Sequence, residues 1–267
     1  MSLYDETAQA FDLLRSVLAK PFRGFGLGLR VVDPGEFFGR LQGDRLTALR
    51  RALLDEQPEA YRVPLAGEPE LLVRRVAGRY DLEVRQHPSL ELGAVWEPDY
   101  VVLAQAEPQT VLGGCVCFPS GWSLPKKCGL SIWETHAVVP GLNGSIGLQI
   151  ARFLGGLRPN QAFQRINLGF SSSSELDQRP ERAISAIQPG FDPGTTRVRI
   201  EWQALTALSE AYLLFGIRIF QLSLSAVKAD AALATALAEH ALALPADLSG
   251  YKRLLSIRSA LAEYLRG

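Results

Sequence analysis

The segment from Cys115 to Asn143, CVCFPSGWSLPKKCGLSIWETHAVVPGLN, concentrates the residue types that do chemistry. It holds all three cysteines, two of the four tryptophans, the Lys126–Lys127 pair and His136, one of only three histidines. Pro119, Gly121, Pro125, Gly129, Pro140 and Gly141 interrupt it at short intervals. A segment serving only the core would be smoother and more apolar. Alternation of rigid turns with aromatics and one titratable imidazole is what a binding loop needs.

His136 closes a run that reads as a strand, LSIWETH (130–136), and precedes AVVPG. Taken alone, the commoner arrangement is a histidine hydrogen-bonded to backbone at a turn. The functional alternative is a metal or haem-iron ligand, the task for which neutral imidazole is most often used. His87 and His240 are remote in sequence and no carboxylate sits at zinc spacing, which argues against a multi-ligand zinc site. A haem iron needs only one protein ligand, so a lone histidine suffices there. Cys115 and Cys117 form C-x-C in a strand and point to one face, as buried thiols rather than a C-x-x-C redox pair. Cys128 beside two lysines is open to a lowered pKa, but no histidine–carboxylate pair accompanies it. G-x-S-x-G, H-E-x-x-H and P-loop patterns are absent, and GFGLGL (24–29) lacks G-x-G-x-x-G spacing.

A second constellation is electrostatic. In RVRIEWQA (197–204), Arg197, Arg199, Glu201 and Gln203 alternate with Val198, Ile200, Trp202 and Ala204. In QRINLGF (164–170), Arg165 and Asn167 share a face, and Arg218 breaks the apolar run YLLFGIRIF (212–220). A solvated sheet face is the plain reading of such alternation. Arginines gathered on one sheet face also suit carboxylates or phosphates, which guanidinium groups bind bidentately.

The elements that must position these residues follow from periodicity. Helices are expected over 4–19, 43–56, 69–79, 145–157, 229–243 and 248–265. Strands are expected over 99–105, 110–118, 130–136, 164–170, 197–204 and 212–220. Strands cluster centrally, about 95–225, with helical extensions before and after, including C-terminal helices at about 229–265. That is an α+β pattern, an antiparallel sheet with helices against it. No Pro/Gly/Ser linker divides two patterned halves, so one domain over residues 1–267 is expected. Lys252 reads as a surface position of the last helix.

Composition bounds the rest. With 47% hydrophobic and 21% charged residues, the 267-residue chain is an ordinary soluble protein. Lys+Arg and Asp+Glu are both 28, which leaves no global basic field for nucleic acid or anionic lipid. The N-terminus reads as neither signal peptide nor anchor, and no apolar run reaches membrane-span length. Three cysteines leave one unpaired, which fits a reducing cytoplasm.

Several motifs together resemble the haem-dependent oxidative N-demethylase alpha-subunit-like family. Its Pro-Ser-x-Trp is matched by Pro119-Ser120-Gly121-Trp122 and its Lys-x-Gly by Lys127-Cys128-Gly129. Its His-Ala-Pro-Val-Pro-Gly is matched by His136-Ala137-Val138-Val139-Pro140-Gly141, and its Arg-x-Asn-Trp by Arg165-Ile166-Asn167-Leu168. Its Arg-x-Glu-Arg-Gln-x-Leu and Phe-x-Ile-Arg are matched by Arg199–Leu205 and by Phe215-Gly216-Ile217-Arg218. The matches run in order over about residues 115–220. The sequence departs at Val138, Leu168 and Trp202, where the family has Pro, Trp and Arg. These exchanges bear on substrate and catalysis more than on fold.

The resemblance implies a PAS-like fold holding haem b, with His136 as iron ligand. It places Arg165, Asn167, Arg218, Trp122 and Lys127 around the cofactor, with arginines pairing the propionates, and Glu201 and Arg199 in catalysis. The implied activity is oxidative N-demethylation, or a related oxidation, of a small amine with O2 or peroxide. Electrons would come from flavin or iron–sulfur reductase subunits. The alternatives are a non-enzymatic haem or gas sensor and a haem-free PAS-like ligand-binding module.

Overall fold

The computed structural model describes residues 6–267. The first two residues of the expected N-terminal helix fall outside that range. Long alternating segments build the centre of a sheet. β5 (Ala162–Ser171), β6 (Arg197–Ala207) and β7 (Tyr212–Ser223) pair antiparallel along almost their whole lengths. β3 (Asp99–Ala104) continues the sheet beside β7, followed by β4 (Val111–Cys115). Two short edges complete it: β1 (Arg30–Val32) on β5 and β2 (Arg62–Val63) on β4. The order β1-β5-β6-β7-β3-β4-β2 makes one open, wholly antiparallel sheet of seven strands among the described residues. The α+β architecture expected from the sequence is present.

Helices over Glu6–Leu18, Asp44–Glu56, Glu68–Tyr80 and Ala231–Ala243 lie close to the expected bounds. The expected helix over 145–157 starts earlier, as Leu142–Gly156, because Gly141 turns the chain with φ 73°. The last expected helix is broken into Ala246–Tyr251 and Arg258–Arg266, with Arg253 in a left-handed conformation between them. β4 ends before Phe118 because the Asp99 carboxylate captures the Cys117 and Phe118 N–H groups at 2.7 and 2.9 Å. Among the described residues no helix is long and apolar enough to cross a membrane.

Pairing register sorts the sheet's two faces. Residues directly opposite each other in an antiparallel ladder share a face. Arg165 faces Gln203, Asn167 faces Glu201 and Gly169 faces Arg199 across β5 and β6. Val101, Leu103, Leu213 and the helix Leu142–Gly156 build an apolar cluster beside that polar stripe. Trp202 stands on the opposite face, opposite Arg218 on β7. There it packs edge-to-face on Phe37, with ring centroids 4.9 Å apart. The helix Glu6–Leu18 runs across β5, β6 and β7 and meets Ala231–Ala243.

Candidate functional site

The run expected as a strand over 130–136 is a helix, Ile132–His136. Ser131 caps it: its Oγ accepts the Glu134 N–H at 3.2 Å, and the Glu134 carboxylate accepts the Ser131 N–H at 2.8 Å. This reciprocal cap satisfies two otherwise orphaned donors and overrides the alternation of apolar residues. The helix is held against Leu142–Gly156 by Trp133. Asn143 donates to the Trp133 carbonyl at 2.8 Å. The Trp133 ring fills the space beside Gly147, where an added Cβ would stand 2.2 Å from the ring. His136 is thus carried at the end of one rigid turn.

That turn forms one wall of a cleft of about 1680 Å³. Trp122, Lys127 and His136 line it from the loop side, and Arg165, Asn167 and Glu201 from the sheet. His136 is half-buried, and among the described residues its imidazole has no hydrogen-bond partner. Burial, assisted by the charges of Arg165 and Lys127, pushes its pKa down to about 4. The ring is therefore neutral near pH 7, the form that ligates metals. No group of three or more His, Cys, Asp or Glu side chains among the described residues is arranged to hold a metal ion.

Glu201 is buried, and its Oε2 accepts from Asn167 Nδ2 at 3.1 Å and from Gln203 Nε2 at 2.8 Å. It has no ion pair among the described residues, although Arg165 and Lys252 lie close enough to feel its charge. Two neutral amides hold this carboxylate in place without neutralising it. Gln203 shares the parity of Glu201 in β6, so its face was readable, but its role as a carboxylate donor was not.

The other sequence-expected residues divide. Arg199 faces the cleft but is committed to protein. Its Nε donates to Ser120 Oγ at 2.7 Å, and its Nη2 donates to the Phe118 and Leu176 carbonyls, both at 2.8 Å. Burial lowers its pKa to about 10. It clamps β6 to the loops around 118 and 176. Arg218 corrects the expectation of a common arginine face. It stands on the opposite side of the sheet, outside the cleft lining, and pairs with Glu97 Oε2 at 2.8 Å with neither side chain exposed. It also donates to the Phe37 carbonyl at 2.7 Å and to the Gly39 carbonyl. Its odd–even position relative to Trp202 decides this, since opposed residues share a face.

The tail brings two residues the sequence reading set aside. His240, expected to be remote, lines the cleft, and its Nδ1 is buried without a hydrogen-bond partner. Burial and the neighbouring Lys252 lower its pKa to about 4. Lys252 is not a surface residue. It sits at the break in the expected last helix, turned onto β5, where its Nζ donates to Asn167 Oδ1 at 3.1 Å and to the Leu168 carbonyl at 2.5 Å. Cys115 and Cys117 are buried with sulfurs 3.8 Å apart, away from the cleft lining. Cys128 Sγ donates to the Leu112 carbonyl.

The contact of Trp133 with Gly147 gives a test of how His136 is positioned. Gly147→Ala should displace the indole and cost about 1–3 kcal/mol in urea unfolding. An unchanged stability would show that the indole yields without moving the helix that carries His136.

The neutral imidazole and the carboxylate-bearing sheet face both lie within one stretch of family similarity. A sequence model of the haem-dependent oxidative N-demethylase, alpha subunit-like family matches residues 42–262, most of the chain, and the protein belongs to that family.

Proposed function

We propose that the cleft holds haem b and that the protein oxidises a small secondary amine, removing a methyl group with O2 or peroxide as oxidant. The observation that carries this reading is His136: a neutral imidazole with no hydrogen-bond partner, on the wall of a large cleft, in a member of a haem-dependent family. The donor set fits haem in two further respects. Only one imidazole is needed on the iron, and the arrangement offers no competing multi-ligand metal cluster among the described residues. Arg165 supplies a half-buried guanidinium whose buried Nε lacks a hydrogen-bond partner, suited to a propionate. A PAS-like description of the sheet and its helices, one domain for the whole chain, a cytoplasmic setting and reductase subunits as electron donors all belong to the same proposal.

Bound haem would supply the oxidising iron. The chain's own residues would do the rest. His136 holds the cofactor from the loop wall. Trp122 and the apolar cluster beside it exclude water. Glu201, fixed by Asn167 and Gln203, takes the cationic amine, because a buried carboxylate without a counter-ion is stabilised by an ammonium. Arg199 keeps the strand carrying Glu201 in register with the loop at 118–120.

The reading is tested by incubating haem-loaded protein with a secondary methylamine, a reductant and O2 and assaying formaldehyde. Substrate-dependent formaldehyde is expected. Haem binding without any amine-dependent turnover would overturn the enzymatic part. Glu201→Gln keeps the shape and the amide contacts but removes the charge. It should raise KM for the amine at least about tenfold, the worth of one charged hydrogen bond. An unaltered KM would remove Glu201 from substrate binding.

A further inference from the structure

Two half-buried cations on the cleft wall have no carboxylate in ion-pair contact among the described residues. Arg165 projects from β5 and its Nε is buried with no hydrogen-bond partner. Lys252 is held by Asn167 Oδ1 and the Leu168 carbonyl, both neutral acceptors. Among the described residues no carboxylate lies within the 4.0 Å of an ion pair from either one. Both sense Glu201, and Lys252 also senses the like charge of Arg165. One carboxylate is thus shared at a distance by two cations, and it is itself tied to two amides. Burial and mutual repulsion both disfavour the pair as it stands, and the arrangement asks for anionic partners.

The placement is specific. Arg165 and Asn167 are two residues apart on the same face of β5, a rise of about 7 Å. Lys252 rests on Asn167. The two cations therefore stand side by side along one strand, reached from one cleft. Lys252 takes this position only because the chain breaks its helix after Tyr251 and turns Arg253 left-handed.

We propose that Arg165 and Lys252 form a two-point anchor for the pair of carboxylates on one ligand, the haem propionates, so that Glu201 is left for the amine. The assignment rests on the haem reading above and deepens it. It makes the C-terminal segment part of the cofactor site. It also explains how a carboxylate in the same cleft stays free of the arginine beside it: the propionates take the cations.

The test compares haem with its dimethyl ester, which lacks both carboxylates, in titrations followed at the Soret band. The wild type, Lys252→Met and Arg165→Met are used. Wild-type protein should bind haem at least about tenfold more tightly than the ester, and each variant should lose about tenfold to a hundredfold for haem while binding the ester as the wild type does. Ester binding by the variants reports that they are folded. Equal loss for both porphyrins would make the two residues structural and overturn the anchor. Unchanged haem affinity in Lys252→Met would assign that cation elsewhere, for example to a carboxylate of the substrate, and would also overturn it. A wild type that binds neither porphyrin would overturn the haem reading itself and the anchor with it. The two failures are thereby distinguishable.

Discussion

His136→Ala is expected to abolish stoichiometric haem binding, weakening it by more than about 100-fold, the upper end of the loss seen when only an outer-shell partner of a metal ligand is removed. Among the described residues His136 is the one imidazole on the loop wall, neutral and without a hydrogen-bond partner. Neither other histidine stands on that wall, although His240 lines the cleft with its Nδ1 unpartnered. His87 faces Glu83 at 3.5 Å on a half-exposed helix end, and His240 approaches the cleft from the tail. The His136 imidazole makes no hydrogen bond among the described residues. Its helix is held by the Ser131–Glu134 cap and by Trp133, so the variant should fold with unchanged thermal stability. A Soret band of full height and unaltered position in His136→Ala would refute the assignment. Partial binding restored by added imidazole would support it, because a free ligand can occupy the vacated position.

The second large effect concerns the other face of the sheet. Glu97→Ala should cost about 3–5 kcal/mol in urea unfolding, the loss expected when one partner of a buried ion pair is removed. Glu97 Oε2 accepts the Leu41 and Gln42 N–H groups at 2.7 and 2.8 Å as well as Arg218, and Oε1 accepts the Gly43 N–H at 2.6 Å. Truncation takes the carboxylate away from a buried guanidinium and from three backbone amides that donate to it. Against a total stability of about 5–15 kcal/mol, that is a large share. The same site predicts a pH dependence. Burial alone would raise the Glu97 pKa, but Arg218 and the backbone amides hold it below its ordinary 4.5. A depressed carboxyl contributes stability above its unfolded pKa and loses it as pH falls through the folded value. Wild-type protein should therefore lose stability on acidification below about 4.5, and Glu97→Gln should show a flatter profile there. A cost under about 1 kcal/mol for Glu97→Ala would show that water replaces the carboxylate.

How much of this could be read beforehand depended on length and periodicity. β5 and β6 are long enough for period-two alternation to declare them, β3 and β7 read as apolar runs, and the shared faces of Arg165 with Asn167 and of Arg199 with Glu201 followed from that alternation. β1 and β2 are too short to carry a period. The segment 130–136 alternates as a strand does, yet Ser131 and Glu134 stand three apart as a capping box. That local signal was present and outweighed the alternation. Arg218 was misplaced because the side of a strand is set by register with its neighbours, which one sequence does not state. Lys252 was invisible for a related reason: its importance comes from a break in a helix that propensity alone would continue. The three departures from the family motifs now have locations. Trp202 packs edge-to-face on Phe37 and also borders the cleft, with its Nε1 on Gln164, while Val138 is exposed on the cleft rim. Leu168 is buried, and its carbonyl receives Lys252. None of the three replaces His136, Arg165 or Glu201.

The central claim is that this cleft is a haem site, and a haem titration of the purified protein tests it most directly. The account predicts a saturable Soret band reaching one haem per chain, lost in His136→Ala. Featureless absorbance that rises linearly with added haem, without saturation at one equivalent, would contradict it.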